Sequence, residues 1–90
     1  MLPKHRAPTS PGEMLLEEFL KPMGMTQTEL AQKMGVPIQR VNTLINGKRG
    51  VTADTALLLA KIFKNLPQFW LGLQMDLDLW QAQQKQAKSA

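Results

Sequence analysis

Short polar and cationic side chains are concentrated between residues 26 and 49 of this 90-residue chain. Gln39 carries an amide that donates and accepts at once, and Arg40 carries a fork of donors, so each can form paired hydrogen bonds with the edge of a base. Thr43 adds a hydroxyl and a methyl group beside them. The chemistry that such a group performs is recognition by hydrogen bonds and contact, with no covalent bond made or broken.

The same part of the chain is a local basic field. Between Leu30 and Ala53 there are four cationic residues and no acidic one, whereas acidic residues dominate before and after. The whole chain has a net charge of +4 and a pI near 9.8, which alone is a weak indication of an anionic partner. A run of like charge is also typical of an ordinary solvated face, so the charge needs a structural context.

Groups for catalysis or metal binding are scarce. There is no cysteine, and the one histidine, His5, lies in a proline-rich start, which leaves little for a zinc site. Asp76 and Asp78 are two residues apart, so on a helix they diverge by about 200° and cannot act as a carboxylate pair. No phosphate-cradling glycine loop occurs. We therefore expect no enzymatic activity, no cofactor and no metal.

Length and hydropathy indicate one small domain without a membrane segment. No stretch approaches the roughly 20 apolar residues of a membrane span, and residues 1–11 lack the apolar run of a signal peptide. We expect a soluble, cytoplasmic protein. A domain of this size is marginally stable alone, and without disulfides or metal the stabilising device left open is oligomerisation.

Capping signals and helix breakers predict an all-α fold of five helices and no strands. Two capping boxes, Ser10–Glu13 and Thr26–Glu29, begin the first and second helices, and Gly35 ends the second in a position that suits positive φ. The inward stripe of the first helix is predicted at Met14, Leu15 and Phe19, with Leu16 as a further candidate. The five helices are predicted to start at or just after Ser10, Thr26, Pro37, Thr52 and Pro67. The predicted organisation is a flexible arm over 1–9, a DNA-binding domain over 10–66, and a C-terminal helix over 67–90 with a disordered polar tail.

The second and third predicted helices, each about nine residues long and joined at Gly35, have the spacing of a helix-turn-helix over about 27–46. With Val41, Leu44 and Ile45 inward, the polar side chains of the third helix face outward. Gln27 lies at a helix N-terminus, where backbone N–H groups favour phosphate, and the loop after the third helix carries further phosphate donors. The residues predicted to contact double-stranded DNA are Thr26, Gln27, Ile38, Gln39, Arg40, Thr43, Asn46, Lys48 and Arg49.

The fifth predicted helix carries two apolar stripes on opposite sides. One stripe can close the core, but a lone domain has nothing to cover the other. The first stripe is made of Leu66, Phe69, Trp70, Leu73, Leu77 and Trp80. We therefore predict a homodimer with an interface at Leu71, Met75 and Leu79. A two-fold dimer would place two recognition helices about 34 Å apart, which matches a palindromic operator.

The segment TQTELAQKMGVPIQRVNTLINGKR, Thr26 to Arg49, resembles the Cro/CI-type (XRE) family of phage-repressor-like regulators. The resemblance implies a lambda-repressor-like domain in which Gln27 contacts phosphate and the front of the third helix reads bases. Pro37 and Ile38 stand where many members carry Ser, Thr or Gln, so Ile38 is expected to touch a thymine methyl.

The blocks PGEMLLEEFLKPMGMTQ, RGVTADTALLLAK and PQFWLGLQMDLDL resemble the HigA (VapI-like) antitoxin family over about Ser10 to Trp80. This resemblance implies an antitoxin that neutralises a HigB-like mRNA-cleaving toxin and represses its own operon. Two alternatives stay open: a stand-alone XRE-family regulator without a toxin partner, and a helical protein-interaction module that no longer binds DNA.

Overall fold

A computed structural model describes residues 7–89, which form five helices and no strand. Helix α1 is continuous through three segments, Pro11–Met14, Leu15–Leu20 and Lys21–Met23. The others are α2 (Gln27–Met34), α3 (Ile38–Ile45), α4 (Ala53–Phe63) and α5 (Pro67–Ser89). The predicted all-α, five-helix fold is confirmed. The predicted flexible arm lies mostly outside the described residues, since only its end, residues 7–9, is described.

Helix α1 contains a wide π-helical turn, which the sequence analysis missed. Its middle segment, Leu15–Leu20, has the i→i+5 pattern, with the Lys21 N–H bonded to the Leu16 carbonyl. The widened turn comes directly before Pro22, whose ring cannot follow an ordinary α-turn without meeting the carbonyl four residues earlier. Residues five apart therefore share a face, and Leu20 is buried with Leu15 although the α-helical pattern did not select it.

Side-chain caps begin three of the helices. The Ser10 hydroxyl accepts from the Glu13 N–H at 3.1 Å and also donates to the Glu13 carboxylate at 3.3 Å. At α2 the box is reciprocal: Thr26 Oγ1 accepts from Glu29 N–H, and the Glu29 carboxylate accepts from Thr26 N–H, each at 3.0 Å. Thr52 caps α4. Gly35 ends α2 with φ of 70°, as predicted.

The core lies where α1, α4 and α5 meet the α2–α3 pair. Trp70 is fully buried; its ring contacts Phe19 and Phe63, with centroids 5.1 and 6.1 Å away, and its Nε1–H donates to Asn65 Oδ1 at 2.9 Å. The buried apolar residues are Leu15, Leu20, Leu30, Ala31, Met34, Val41, Leu44, Val51, Ala56, Leu59, Ala60 and Trp70. Of the three inward residues predicted for α3, Val41 and Leu44 are buried and Ile45 is half-buried.

The start of α1 packs directly on the end of α3. A Cβ at Gly12 would meet the carbonyl oxygen of Leu44, and would lie 2.8 and 2.9 Å from the carbonyl oxygen and Cα of Ile45. All three are backbone atoms, so they cannot rotate away. Glycine at position 12 therefore permits a helix crossing that any side chain would push apart.

Helix α5 is 23 residues long and continues to Ser89, although the polar composition of its end had predicted a partly disordered tail. The tail is rich in Ala, Gln and Lys, which are good helix formers, and extending an existing helix avoids the cost of nucleation. The domain is elongated, with extents of 46 × 23 × 23 Å. Among residues 7–89 no helix is both long and apolar enough to cross a membrane.

Candidate nucleic-acid interface

Helices α2 and α3 meet at the turn that Gly35 makes. Val36 N–H bonds back to the Ala31 carbonyl at 3.1 Å, and the Gly35 N–H to that of Gln32 at 3.2 Å. Leu30, Ala31 and Met34 of α2 are buried, so the second helix is held across the first. The inward sides of both helices are thus fixed by the core, and their outward sides are available for contacts.

The outward side of α3 presents an amide and two groups that carry methyls. Gln39 is exposed, while Ile38 and Thr43 are half-buried. The Thr43 hydroxyl donates to the backbone carbonyls of Gln39 at 2.9 Å and Arg40 at 3.2 Å. Because its proton points back to the helix, Thr43 offers a partner its methyl group and the remaining lone pair of the hydroxyl.

An open groove of about 450 Å³ runs beside this face. It brings together five of the nine residues predicted to contact DNA. Its lining residues are Pro37, Gln39, Arg40, Thr43, Lys48 and Arg49. Three of the six are cationic and none is acidic, so the groove suits an anionic partner.

The side chain of Arg40, predicted to face outward from α3, is directed towards α4. Its Nη2 donates to Thr55 Oγ1 of α4 at 3.0 Å, and its Nε–H is buried without a hydrogen-bond partner among residues 7–89. The residue is half-buried. Arg40 thus lies at the inner edge of the groove and reaches towards α4 because its long stem follows the helix surface.

The loop after α3 is held in shape by its own backbone. Gly47 has φ of 75°, and the N–H groups of Lys48 and Arg49 both bond to the Thr43 carbonyl, at 2.9 and 3.2 Å. Asn46, Lys48 and Arg49 are all exposed. Two exposed cationic side chains therefore project from a turn that its backbone hydrogen bonds hold in shape.

A side chain of α5 secures the far end of this loop. Gln74 Oε1 accepts from the Val51 N–H at 2.9 Å, and its Nε2 donates to Asp78 at 2.9 Å. A Cβ at Gly50 would lie 3.0 Å from Gln74 Oε1, so the absence of a side chain there lets the amide approach. Sequence reasoning missed both Gln74 and Thr55, because contacts across 23 and 15 residues leave no periodic signal.

The start of α2 lies apart from the groove. The N–H groups of Gln27 and Thr28 are in the first turn and have no carbonyl of the same helix to bond, which suits an anion. Thr26 is already committed at both its hydroxyl and its N–H to the capping box. Hydrogen bonds from Thr26, with Lys33 nearby, hold the pKa of the Glu29 carboxyl below its usual value.

The second apolar stripe of α5 is exposed, whereas most of the first stripe is covered. At the start of the first stripe, Leu66 and Phe69 are exposed, by 68 and 38%. Leu71, Met75 and Leu79 have exposed fractions of 37, 57 and 49%, whereas Leu73, Leu77 and Trp80 are half-buried. Residues four apart on a helix lie on one side. The stripe is therefore a continuous apolar strip along α5.

Residues 7–89 contain no group of three His, Cys, Asp or Glu side chains that could hold a metal ion. Within residues 7–89, Lys21 Nζ and Glu17 Oε1 form an ion pair at the surface, 2.9 Å apart. The interface described above is thus built from hydrogen-bonding groups, cations and methyls.

Helix packing of this kind, with polar side chains on the outer side of α3, defines a helix-turn-helix protein. The helix-turn-helix family model matches residues 16–69. Antitoxin HigA-1 of Vibrio cholerae is 48% identical over 86 residues, which cover 94% of this chain and 80% of that protein. The chain belongs to the HigA antitoxin family of helix-turn-helix proteins.

Solved structures agree with this family. Antitoxin GraA in complex with its operator has a TM-score of 0.86 at 39% identity, over 99% of this chain and 90% of GraA. Antitoxin HigA of Pseudomonas aeruginosa, solved with the higBA promoter, has a TM-score of 0.86 at 34% identity, over 91% and 89% of the two chains. The similarity spans α1 to α5 and is not limited to the helix-turn-helix.

Proposed function

We propose that this chain is a sequence-specific, DNA-binding repressor that acts as the antitoxin of a HigB/HigA-type toxin–antitoxin module. It represses its own operon and neutralises an mRNA-cleaving toxin, has no catalytic activity and works in the cytoplasm. The observation that carries the proposal is the acid-free groove beside α3, with Gln39 exposed and Lys48 and Arg49 at its rim. The operator and promoter complexes of the two relatives support it.

Base recognition is assigned to three side chains of α3. The exposed Gln39 amide suits the paired donor and acceptor of adenine, worth about 1–3 kcal/mol of discrimination. Ile38 and the Thr43 methyl suit thymine methyl groups, since the Thr43 proton is bonded within the helix. This side of α3 is therefore expected to prefer A·T pairs.

Phosphate contacts are assigned to two segments. One is the loop after α3, which carries Asn46, Lys48 and Arg49, and the other is the first turn of α2, with Gln27, which lies apart from the groove. Such contacts position the protein without reading sequence, and each phosphate that a cation neutralises makes binding more sensitive to salt.

Dimerisation is assigned to the exposed stripe of Leu71, Met75 and Leu79. These side chains leave a continuous apolar strip on a single small domain, and a second copy related by two-fold symmetry would cover it with the same residues. The dimer would then present two copies of α3 to successive half-sites of a palindromic operator.

DNA binding is tested by a gel shift with the DNA upstream of the protein's own coding sequence, at two salt concentrations. We expect a specific complex that weakens steeply as salt increases. Random DNA of equal length is the control. Equal binding of both DNAs at both salt concentrations would refute the repressor.

The antitoxin role is tested separately, by co-expression with the neighbouring small open reading frame. We expect the two proteins to elute together and the growth arrest caused by the neighbour alone to be relieved. Independent elution with continued arrest would leave a regulator without a toxin partner.

A further inference from the structure

We propose that Arg40 is a positioning residue, which reads no base and instead fixes the angle of α3 through its contact with Thr55 of α4. The inference rests on the proposed DNA binding and deepens it, because it separates the two arginines that border the groove. Arg49 is exposed on the loop, whereas Arg40 is half-buried and directed towards the neighbouring helix.

The hydrogen-bond partner of Arg40, Thr55, is itself held in place. Thr55 is only 4% exposed, and its hydroxyl, which accepts from Arg40 Nη2 at 3.0 Å, is also hydrogen-bonded to the Thr52 hydroxyl at 3.3 Å. Thr52 is the residue that caps α4. Arg40 is thereby connected to the first turn of α4, a part of the molecule that the core holds in place.

Electrostatic attraction does not explain where the Arg40 side chain lies. No carboxylate lies within 4.0 Å of the Arg40 guanidinium in the described part of the chain, and its Nε–H is buried with no acceptor there. A buried donor without a partner is unfavourable, so this placement is poorly explained by stability alone. A planar guanidinium fixes direction as well as distance, which is the property that a positioning contact needs.

The contact between Arg40 and Thr55 acts on α3 next to its outward side chains. Arg40 lies between Gln39, whose side chain is exposed, and Val41, which is buried. The core fixes the depth of α3 through Val41 and Leu44, whereas a bond from Arg40 to α4 limits rotation of the helix about its own axis. That rotation determines where Gln39 and Thr43 point.

The test compares Arg40→Met with Arg49→Met, its matched control, on the same upstream DNA and on a set of single-base-pair variants of it. We expect Arg40→Met to weaken binding about tenfold with the order of preference among the DNAs unchanged. Its effect on the slope of log affinity against log salt should be less than half that of Arg49→Met, which should reduce the slope by about 0.9. Loss of preference at one base pair, or an equal reduction of the slope, would overturn the proposal.

Variants of Thr55 distinguish positioning from general stability. Thr55→Val should weaken binding as much as Arg40→Met does, whereas Thr55→Ser, which keeps the hydroxyl, should bind like the parent. The double variant Arg40→Met/Thr55→Val should bind no more weakly than the poorer single variant. Additive losses would contradict the contact. The urea midpoints of the parent, the single variants Arg40→Met and Thr55→Val and the double variant repeat the cycle without DNA. A parent that bound no operator would refute the proposed function, while this coupling would still decide whether Arg40 and Thr55 interact.

Discussion

The groove beside α3 and the stripe along α5 are both exposed, and they differ in what their side chains need. Apart from Pro37, the residues that line the groove are polar or cationic and are well hydrated, and the backbone N–H groups of Lys48 and Arg49 are bonded within the loop. The exposed stripe residues are Leu71, Met75 and Leu79. Their contact with water is unfavourable, by about 25 cal/mol per Å² of exposed apolar area. The difference indicates that the groove is stable when it is unoccupied, whereas the stripe favours burial against another surface whether or not the groove is occupied.

Charged substitutions in the exposed stripe should have the largest effect. Leu71→Glu combined with Met75→Glu should give monomers and should weaken operator binding at least about 100-fold, because two linked half-site contacts become one. Analytical ultracentrifugation and a gel shift measure the two effects. Leu66→Glu is the control, since Leu66 is 68% exposed but lies outside the stripe. A doubly charged variant that stays dimeric would show that another face forms the interface.

The next effect concerns the packing beneath the groove. Gly12→Ala should lower the free energy of unfolding by about 1–3 kcal/mol, because its Cβ would meet backbone atoms of Leu44 and Ile45. Gly72→Ala is the matched control. A Cβ built there meets no atom within 4 Å apart from the neighbouring backbone of its own helix, so alanine should be neutral or stabilise the helix by up to about 1 kcal/mol. Urea denaturation measures both. Equal stabilities would mean that the contact at Gly12 relaxes freely.

Substitution of a base-contacting residue and of a phosphate-contacting residue should have different effects on binding to the same set of DNAs. Gln39→Ala should relax preference at one base pair, at a cost of about 1–3 kcal/mol on the preferred operator. Competition binding to single-base-pair variants measures this. Preference identical to that of the parent would remove Gln39 from the base-reading set.

Lys48→Ala should have the milder and more uniform effect. All DNAs should bind more weakly by a similar factor, and the salt slope should fall by about 1. Titrations at several salt concentrations measure both quantities. Sequence-dependent losses would indicate that Lys48 reads a base.

The smallest effect is the pH dependence of the cap on α2. Because hydrogen bonds lower the pKa of Glu29 in the folded protein, its ionised form contributes stability above the carboxyl's unfolded pKa, and this contribution is lost as pH falls through the folded pKa. Glu29→Gln should therefore be less stable than the parent at neutral pH and approach it in acid. Thermal unfolding at pH 7 and pH 3 tests this; a difference that grows in acid would contradict the sign.

Local signals in the sequence predicted the fold well. Capping residues such as Thr26 and Thr52, and the turn at Gly35, act within a few residues, so they can be recognised without knowledge of the tertiary structure. The π-helical turn before Pro22 was missed because the periodic pattern assumes an α-helix. The continuation of α5 to Ser89 was missed because a polar composition was taken to indicate disorder.

The candidate site was predicted less completely, for a physical reason. Exposure of Gln39 and Lys48 follows from helix and loop position, which the sequence encodes locally. The direction of the Arg40 side chain depends on a hydroxyl 15 positions later, and the geometry of the loop depends on Gln74. Such contacts between distant residues become apparent only when the helices have been packed.

The hydrogen bond from Val51 to Gln74 has a consequence for protein engineering. Gly50 leaves room for the Gln74 amide, and Gln74 lies on α5 directly before Met75 of the stripe. A chimaera that takes α5 from one relative and the remaining helices from another would need to exchange positions 50 and 74 as a unit. Exchange of α5 alone would therefore also disturb the loop that follows α3.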